Sequence, residues 1–211
     1  MPAESAQRAA AILRDASQFQ WHVITLFALA VYVYTVEIQK RDWNVLFGGL
    51  AFWAMDWFNE TWNSLVFHLT GYAPVWGAPG DTAYLILIGL NIEICFMFAI
   101  AGVAFCKMLP KDKHLKILGL PNRLFIALTS AAFCVVVELL LNAVGALTWE
   151  WPWWNAGAPW LIFLFGYLHF FLVAFWVHDM EKLKNKVRVV GGLYAFDAAI
   201  LVLFGPGLGW I

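Results

Sequence analysis

Charge is what this sequence has least of. Asp, Glu, Lys and Arg make up 13% of its 211 residues, against about a quarter in an ordinary globular domain, so they are too few to coat a water-facing surface. The 14 acidic and 13 basic side chains nearly cancel, which excludes a basic nucleic-acid binder and an acidic disordered tail. Cysteine is scarce too. Cys95, Cys106 and Cys134 cannot close a set of pairs and form no CxxC motif, so neither a disulfide framework nor a thiolate metal site is expected. A phosphate-binding glycine motif is missing, which argues against ATP-driven work by this chain alone.

Apolar residues are abundant. The chain is 63% hydrophobic, with 13 Trp and 18 Phe, and its mean hydropathy is +0.72. That excludes intrinsic disorder and points to a multi-pass protein of a membrane, the inner cell membrane being the expected location. A helix needs about 20 apolar residues to cross the hydrocarbon. Six segments qualify: 20–38, 43–69, 82–108, 123–147, 159–178 and 187–205. They are too long and too apolar for barrel strands, so the expected fold is an all-α bundle of six transmembrane helices over residues 20–211.

The polar stretch 1–19 reads as a short surface helix. No small-residue cleavage site follows the first apolar run, so that run is expected to be a retained span. Eleven of the 13 basic residues lie in the first, third and fifth connections, with Arg8 and Arg14 on the other side. The positive-inside rule then puts both termini outside. No repeat at a fixed period is expected.

Ionisable groups at membrane depth are costly and mark functional sites. The second segment carries Asp56, Asn59, Glu60 and Asn63, a spacing that puts all four on one helix face. The fourth carries Ser130, Cys134, Glu138 and Asn142 in steps of four. The third adds Asn91 and Glu93, the fifth His169, and the sixth Tyr194 and Asp197. Counted from their outer ends, Glu60, Glu93, Glu138, His169 and Asp197 fall about 12–17 Å deep at 1.5 Å per residue. One buried polar cluster is expected, opening more easily to the outside. Carboxyl groups crowded in a dry site without Lys or Arg cannot all ionise. Some then hold protons and can act as general acids. Expected catalytic residues are Glu60, Asp197, Glu138, Glu93, His169 and Asp56.

Polar groups of this kind can also serve simply as glue between helices. Glu37, at the end of its span, is expected to snorkel to water. His22 and His68 are expected at the interface, and His178–Asp179 at a solvated helix end. Trp149, Trp151, Trp153, Trp154 and Trp160, with Trp76, fit an interfacial aromatic belt. Their crowding beside two prolines fits a lid better, with Glu150 as a gate. Asn59, Asn63, Asn91, Asn142, Tyr194, Trp62, Trp151, Trp153 and Trp154 are the expected substrate contacts.

Glu60 within FNETWN and Asp197 within YAFDAA give the chain a resemblance to the small integral-membrane terpene cyclases of meroterpenoid biosynthesis. That family is all helical and uses an essential Glu in an early span and an Asp in the last. Its pattern has seven spans and a Trp before the Glu, whereas here Trp62 follows Glu60. The resemblance implies acid–base cyclisation or isomerisation of an isoprenoid or lipid-like substrate, with Glu60 and Asp197 in those two roles and no cofactor. Two other readings stand beside it. One is a metal held by Glu60, Glu93, Glu138, His169 and Asp197, although no span has the Glu-x-x-His pair of carboxylate-bundle metal sites. The other is a proton-coupled transporter or a subunit of a larger complex. Expected partners are membrane lipids, a hydrophobic small molecule and further copies or subunits, and no nucleic acid.

Overall fold

In the computed structural model, which describes residues 1–211, helices stop where the sequence supplies caps and breakers. Helix α1 (Glu4–Ile12) and a single 3₁₀ turn (Ala16–Gln18) precede α2 (His22–Lys40). Arg41 then takes a left-handed conformation with φ of 57°. The Asp42 carboxylate accepts from the Val45 N–H at 3.1 Å, capping α3 (Trp43–Thr70). Gly71, with φ of 58°, ends α3. A long loop leads through the hairpin β1 (Leu85–Leu87) and β2 (Leu90–Asn91) into α4 (Ile92–Lys107). A second hairpin, β3 (Lys116–Ile117) and β4 (Leu120–Pro121), leads into α5 (Asn122–Ala143). The last two helices are α6 (Pro159–Asp179) and α7 (Leu183–Gly207). Each contains a wider π-helical stretch, Ile162–Leu168 in α6 and Leu203–Gly207 in α7.

Four helices, α2, α5, α6 and α7, are long and apolar enough to cross a membrane. The third apolar segment departs from expectation. Its helix begins at Ile92 and not near residue 82, because the chain turns back at Gly89 and the Asn91 side chain caps the helix by accepting from Ile94 N–H at 2.8 Å.

Helix α3 is the centre of the bundle and packs on α4, α6 and α7. Phe52 is surrounded by Phe98, Phe105, Phe170 and Phe171, with ring centroids 5.0–6.0 Å away. The backbones of α3 and α4 meet at Gly49 and Gly102, where a Cβ on Gly102 would lie 2.7 Å from the Gly49 carbonyl oxygen. The backbones of α4 and α5, in contrast, stand apart, and their side chains join the core around Phe52.

The chain direction sorts the loops into two ends. One holds α1, the loop 71–91 and the tryptophan-rich loop 144–158, and the other holds the basic connections. The two hairpins form a local repeat that the sequence reading did not anticipate. Leu85-Ile86-Leu87-Ile88-Gly89-Leu90 and Leu115-Lys116-Ile117-Leu118-Gly119-Leu120 match at the first leucine, the glycine and the last leucine, and each precedes a helix. Because α4 and α5 run in opposite directions, the copies sit at opposite ends. Leu85, Leu87 and Leu90 are buried, whereas Leu118 is 89% exposed.

Charged groups at the basic end are paired more tightly than expected. Glu37 does not snorkel. It is 2% exposed, because Lys107 of α4 reaches it at 2.5 Å. Asp179 is held by both arms of Arg123, at 2.8 and 3.0 Å, so this helix end is not simply solvated. Lys186 is buried and donates to the carbonyls of Val177 and His178 at 2.8 and 2.5 Å, capping α6.

Candidate functional site

The four polar residues of α3 lie on one face, as their spacing requires, and all are buried. Asp56, Asn59 and Glu60 line a cavity of about 80 Å³. Its other walls are Trp76 and Gly89 from the loop, Ile94, Met97 and Phe98 of α4, Cys134, Val137, Glu138 and Leu141 of α5, Leu147 and Trp154 from the tryptophan-rich loop, and Gly166, Tyr167 and Phe170 of α6. The lining is thus apolar and aromatic around three carboxyl groups, with no Lys, Arg or His.

Glu60 Oε1 accepts from the Trp76 indole at 2.8 Å, while its Oε2 is buried without a partner. Asn63 lies one turn further on and does not line the cavity. Its side chain accepts from Val75 N–H at 2.7 Å and donates to the Trp76 carbonyl at 2.8 Å, fixing the loop that carries Trp76. Gly89 must be glycine here. A Cβ would lie 2.7 Å from both Glu60 Oε2 and Trp76 Cδ1, and would also meet Asn63. Glu138 accepts from the Trp149 indole at 3.1 Å. The buried Trp154 Nε1 has no partner within hydrogen-bonding distance.

Asp56 links this cavity to a second place. It stands one turn before Glu60 on α3, and α3 packs against α7, which carries Asp197. Asp56 Oδ2 and Asp197 Oδ2 are both buried and unpartnered. Asp56, Glu60 and Glu138 thus share one cavity, and Asp197 is the fourth buried acid, on the helix beside α3.

Other expected site residues go elsewhere. Glu93 is in the first turn of α4, held by the Thr82 hydroxyl at 2.7 Å, the Ala83 N–H at 2.6 Å and His22 at 3.1 Å. It leaves the cluster because the loop and hairpin replace nearly three turns of the expected helix, which starts at Ile92. His169 lies behind Asn59, with Nε2 3.2 Å from its Oδ1, which also accepts from Trp62 Nε1 at 3.0 Å. Both contacts require His169 to donate from Nε2. The Asn59 amide reaches the Phe165 and Gly166 carbonyls at 3.3 Å, loosened by the π-helical turns of α6. Asn91 is a helix cap, Asn142 donates to the Leu147 carbonyl at 3.0 Å, and the Tyr194 hydroxyl donates to the Leu50 carbonyl at 3.1 Å. No three His, Cys, Asp or Glu side chains come close enough together to share a metal ion. The five-ligand set is therefore not assembled in this fold.

Among the tryptophans, Trp154 lines the cavity and Trp149 bonds Glu138. Trp151 donates to the Ala73 and Pro74 carbonyls at 3.2 and 3.0 Å and so ties the two loops together. Trp153 is 44% exposed at their edge. Helix α1 lies over them, with Ser5 Oγ donating to Glu150 at 2.5 Å. His68 stacks on Trp210 at 4.8 Å. The sequence reading missed Tyr167 and Gly89 as cavity residues. Tyr167 is three residues before Phe170 in an evenly aromatic helix, and nothing in that pattern distinguishes it.

These helices and their apolar surface define an integral membrane protein. The chain belongs to an uncharacterized membrane protein family, whose model it matches over residues 3–206. It is similar to a protein of Archaeoglobus fulgidus, 58% identical over 211 residues and the whole of both chains. A shorter protein of the same organism is 53% identical over 53 residues, covering 25% of this chain and 95% of its own. No solved structure matches.

Proposed function

We propose that this protein is an integral-membrane enzyme that carries out carboxyl acid–base chemistry on a hydrophobic substrate. Six helices, α2 to α7, cross the membrane in this reading. Both termini and the tryptophan-rich end face outward, and the basic connections face the cytoplasm. Helix α4 spans about 24 Å at 1.5 Å per residue, and its buried hairpin completes the depth.

The observation that carries the reading is the cavity itself. Three carboxyl groups line an apolar, aromatic-walled space with no Lys, Arg or His in its walls, and an unpartnered oxygen of Glu60 is among their atoms. Such groups cannot all ionise together, so a protonated member is present at neutral pH. Glu60 donates that proton to the substrate. The faces of Trp76, Trp154, Phe98 and Tyr167 stabilise the cationic centre that forms. Glu138 removes a proton from a neighbouring carbon, so one proton is added, one is lost and no electrons are transferred. The proton taken up by Glu138 passes back to Glu60 across the cavity they share, which restores the starting state, and Asp56 and Asp197 exchange protons with Glu60 from its other side. The resemblance to terpene cyclases implies the same acid role for Glu60 but gives the second role to Asp197, whereas Glu138 shares the cavity with Glu60. A space of about 80 Å³ favours reaction at one end of a chain over folding a whole isoprenoid inside it, since a cavity of about 150 Å³ is needed for benzene.

The test is deuterium uptake. Purified protein in liposomes is incubated in D₂O with long-chain alkenes, enones, epoxides and alcohols, which are then analysed by mass spectrometry. At least one class is expected to gain carbon-bound deuterium with wild type and not with Glu60→Gln. Equal labelling by both proteins, or none in any class, overturns the reading.

The four buried acids Asp197, Asp56, Glu60 and Glu138 favour one second reading, a proton path through the bundle. A pH-sensitive dye inside the same liposomes distinguishes it. Proton flux that disappears in Asp56→Asn, without deuterium uptake by any substrate, would establish that function instead.

A further inference from the structure

The cavity has one wall where no helix closes it. The backbones of α4 and α5 stand apart, their side chains share a core with α3 and α6, and both helices line the cavity. Ile94, Met97 and Phe98 stand on one side, and Cys134, Val137, Glu138 and Leu141 on the other. Met97 is 43% exposed on the apolar outside of the bundle. Toward the tryptophan-rich end, the way is closed by Trp76, Trp154 and Leu147, with Trp151 tying the loops above and α1 laid over them. A slot therefore runs from the membrane side, between α4 and α5, to the three carboxyl groups.

The polar groups at its end are specific. Trp154 Nε1 is a buried donor without a partner, and Glu60 Oε2 and Asp56 Oδ2 are buried carboxyl oxygens without partners. Nothing in the lining carries positive charge. A phosphate, diphosphate or carboxylate would meet only like charge or its precursor and would lose its hydration without compensation. An alcohol suits the site. Its oxygen accepts from Trp154 Nε1, and its hydrogen bonds to a carboxyl oxygen. The volume admits only such a head and a few carbons, so a longer chain must remain in the slot or the bilayer.

We infer that the gap between α4 and α5 is a binding site for an uncharged, single-chain lipid alcohol. The alcohol arrives sideways from the leaflet on the tryptophan-rich side, with its hydroxyl at Glu60, Asp56 and Trp154. This rests on the acid–base reading for its consequence, since it names the substrate class of the same carboxyl groups. The site itself is measured without turnover.

The experiment uses the full chain in liposomes and three photoreactive diazirine lipids of equal chain length: a primary alcohol, a carboxylic acid and a monoalkyl phosphate. Cross-links are mapped by peptide mass spectrometry. The alcohol is expected to mark Met97, Phe98, Val137 or Leu141 at least tenfold above the acid and the phosphate, and excess unlabelled alcohol should remove those marks. Met97→Trp and Val137→Trp, which fill the slot from either side, should each lower the marks severalfold. Val136→Trp, on the lipid-facing surface, should not. Met97 is already partly exposed, so its variant has room to fold if the Val137 variant does not. Marks confined to outward residues such as Phe133 and Leu140, or equal marks from the acid or the phosphate, overturn the inference. Slot marks by the alcohol without deuterium uptake would sustain the site and overturn the enzymatic reading. Glu60-dependent deuterium uptake without slot marks would do the reverse.

Discussion

Trp76 donates its indole hydrogen to Glu60 at 2.8 Å, joining the loop at one end of the bundle to an acid midway along its central helix. The bond occupies one carboxyl oxygen and leaves the other buried beside Gly89 without a partner. Asn63, one turn beyond Glu60, grips the backbone of the same loop. The acid and the loop over it are thus set by a single helix face.

Asn63→Ala would break three buried bonds at once, two of them from the N–H groups of Val75 and Trp76. A buried group left without a partner costs about 1–3 kcal/mol. A lower thermal midpoint in detergent is expected, with a red shift of tryptophan emission as the loop lifts. An unchanged midpoint would mean that the loop is held by the tryptophan contacts alone.

Gly89→Ala places a methyl group within 2.7 Å of both Glu60 Oε2 and Trp76 Cδ1. Overpacking of this kind costs about 1–3 kcal/mol. The methyl group meets the Asn63 amide that holds the loop as well as the Glu60 oxygen, so stability and activity should both fall. Turnover measured beside the melting curve checks both.

Glu60→Gln keeps the shape and the Trp76 bond but removes the acid. General acid–base groups contribute about 10²- to 10⁴-fold, so turnover should fall by that range while circular dichroism and membrane insertion stay as in wild type. Asp197→Asn, which acts through Asp56, should also suppress turnover. Full activity in both variants would remove the acid–base assignment.

Glu37 and Lys107 give a stability test remote from the cavity. Lys107→Met strands a buried carboxylate and should cost about 1–3 kcal/mol. Glu37→Leu with Lys107→Met replaces both partners by apolar groups and should recover most of the loss. Thermal unfolding of the two single variants and the double variant measures the coupling.

The helical bundle could be read from the chain because its signal is one-dimensional. A run of about 20 apolar residues needs no partner to announce itself, and a polar stripe at steps of three and four marks one face. Asp56, Asn59 and Glu60 are found together for that reason, as are Cys134 and Glu138. Glu93 lies outside the cluster because the helix expected from residue 82 starts at Ile92. A hairpin turning at Gly89 moved the residue to a helix start, and a glycine among leucines gives little warning of that. Glu37 was misjudged because its partner, Lys107, lies 70 positions away.

Which helix neighbours which is decided by packing over long separations in the chain. Close approach at Gly49 and Gly102 draws α4 against α3, and the same choice leaves α4 apart from α5. Periodicity reports which face of a helix is polar but carries no information about the helix opposite. Residue order therefore specified the helices and their buried acids. The cavity, its missing wall and the meeting of Trp76 with Glu60 arose from how those helices and loops fit together in space.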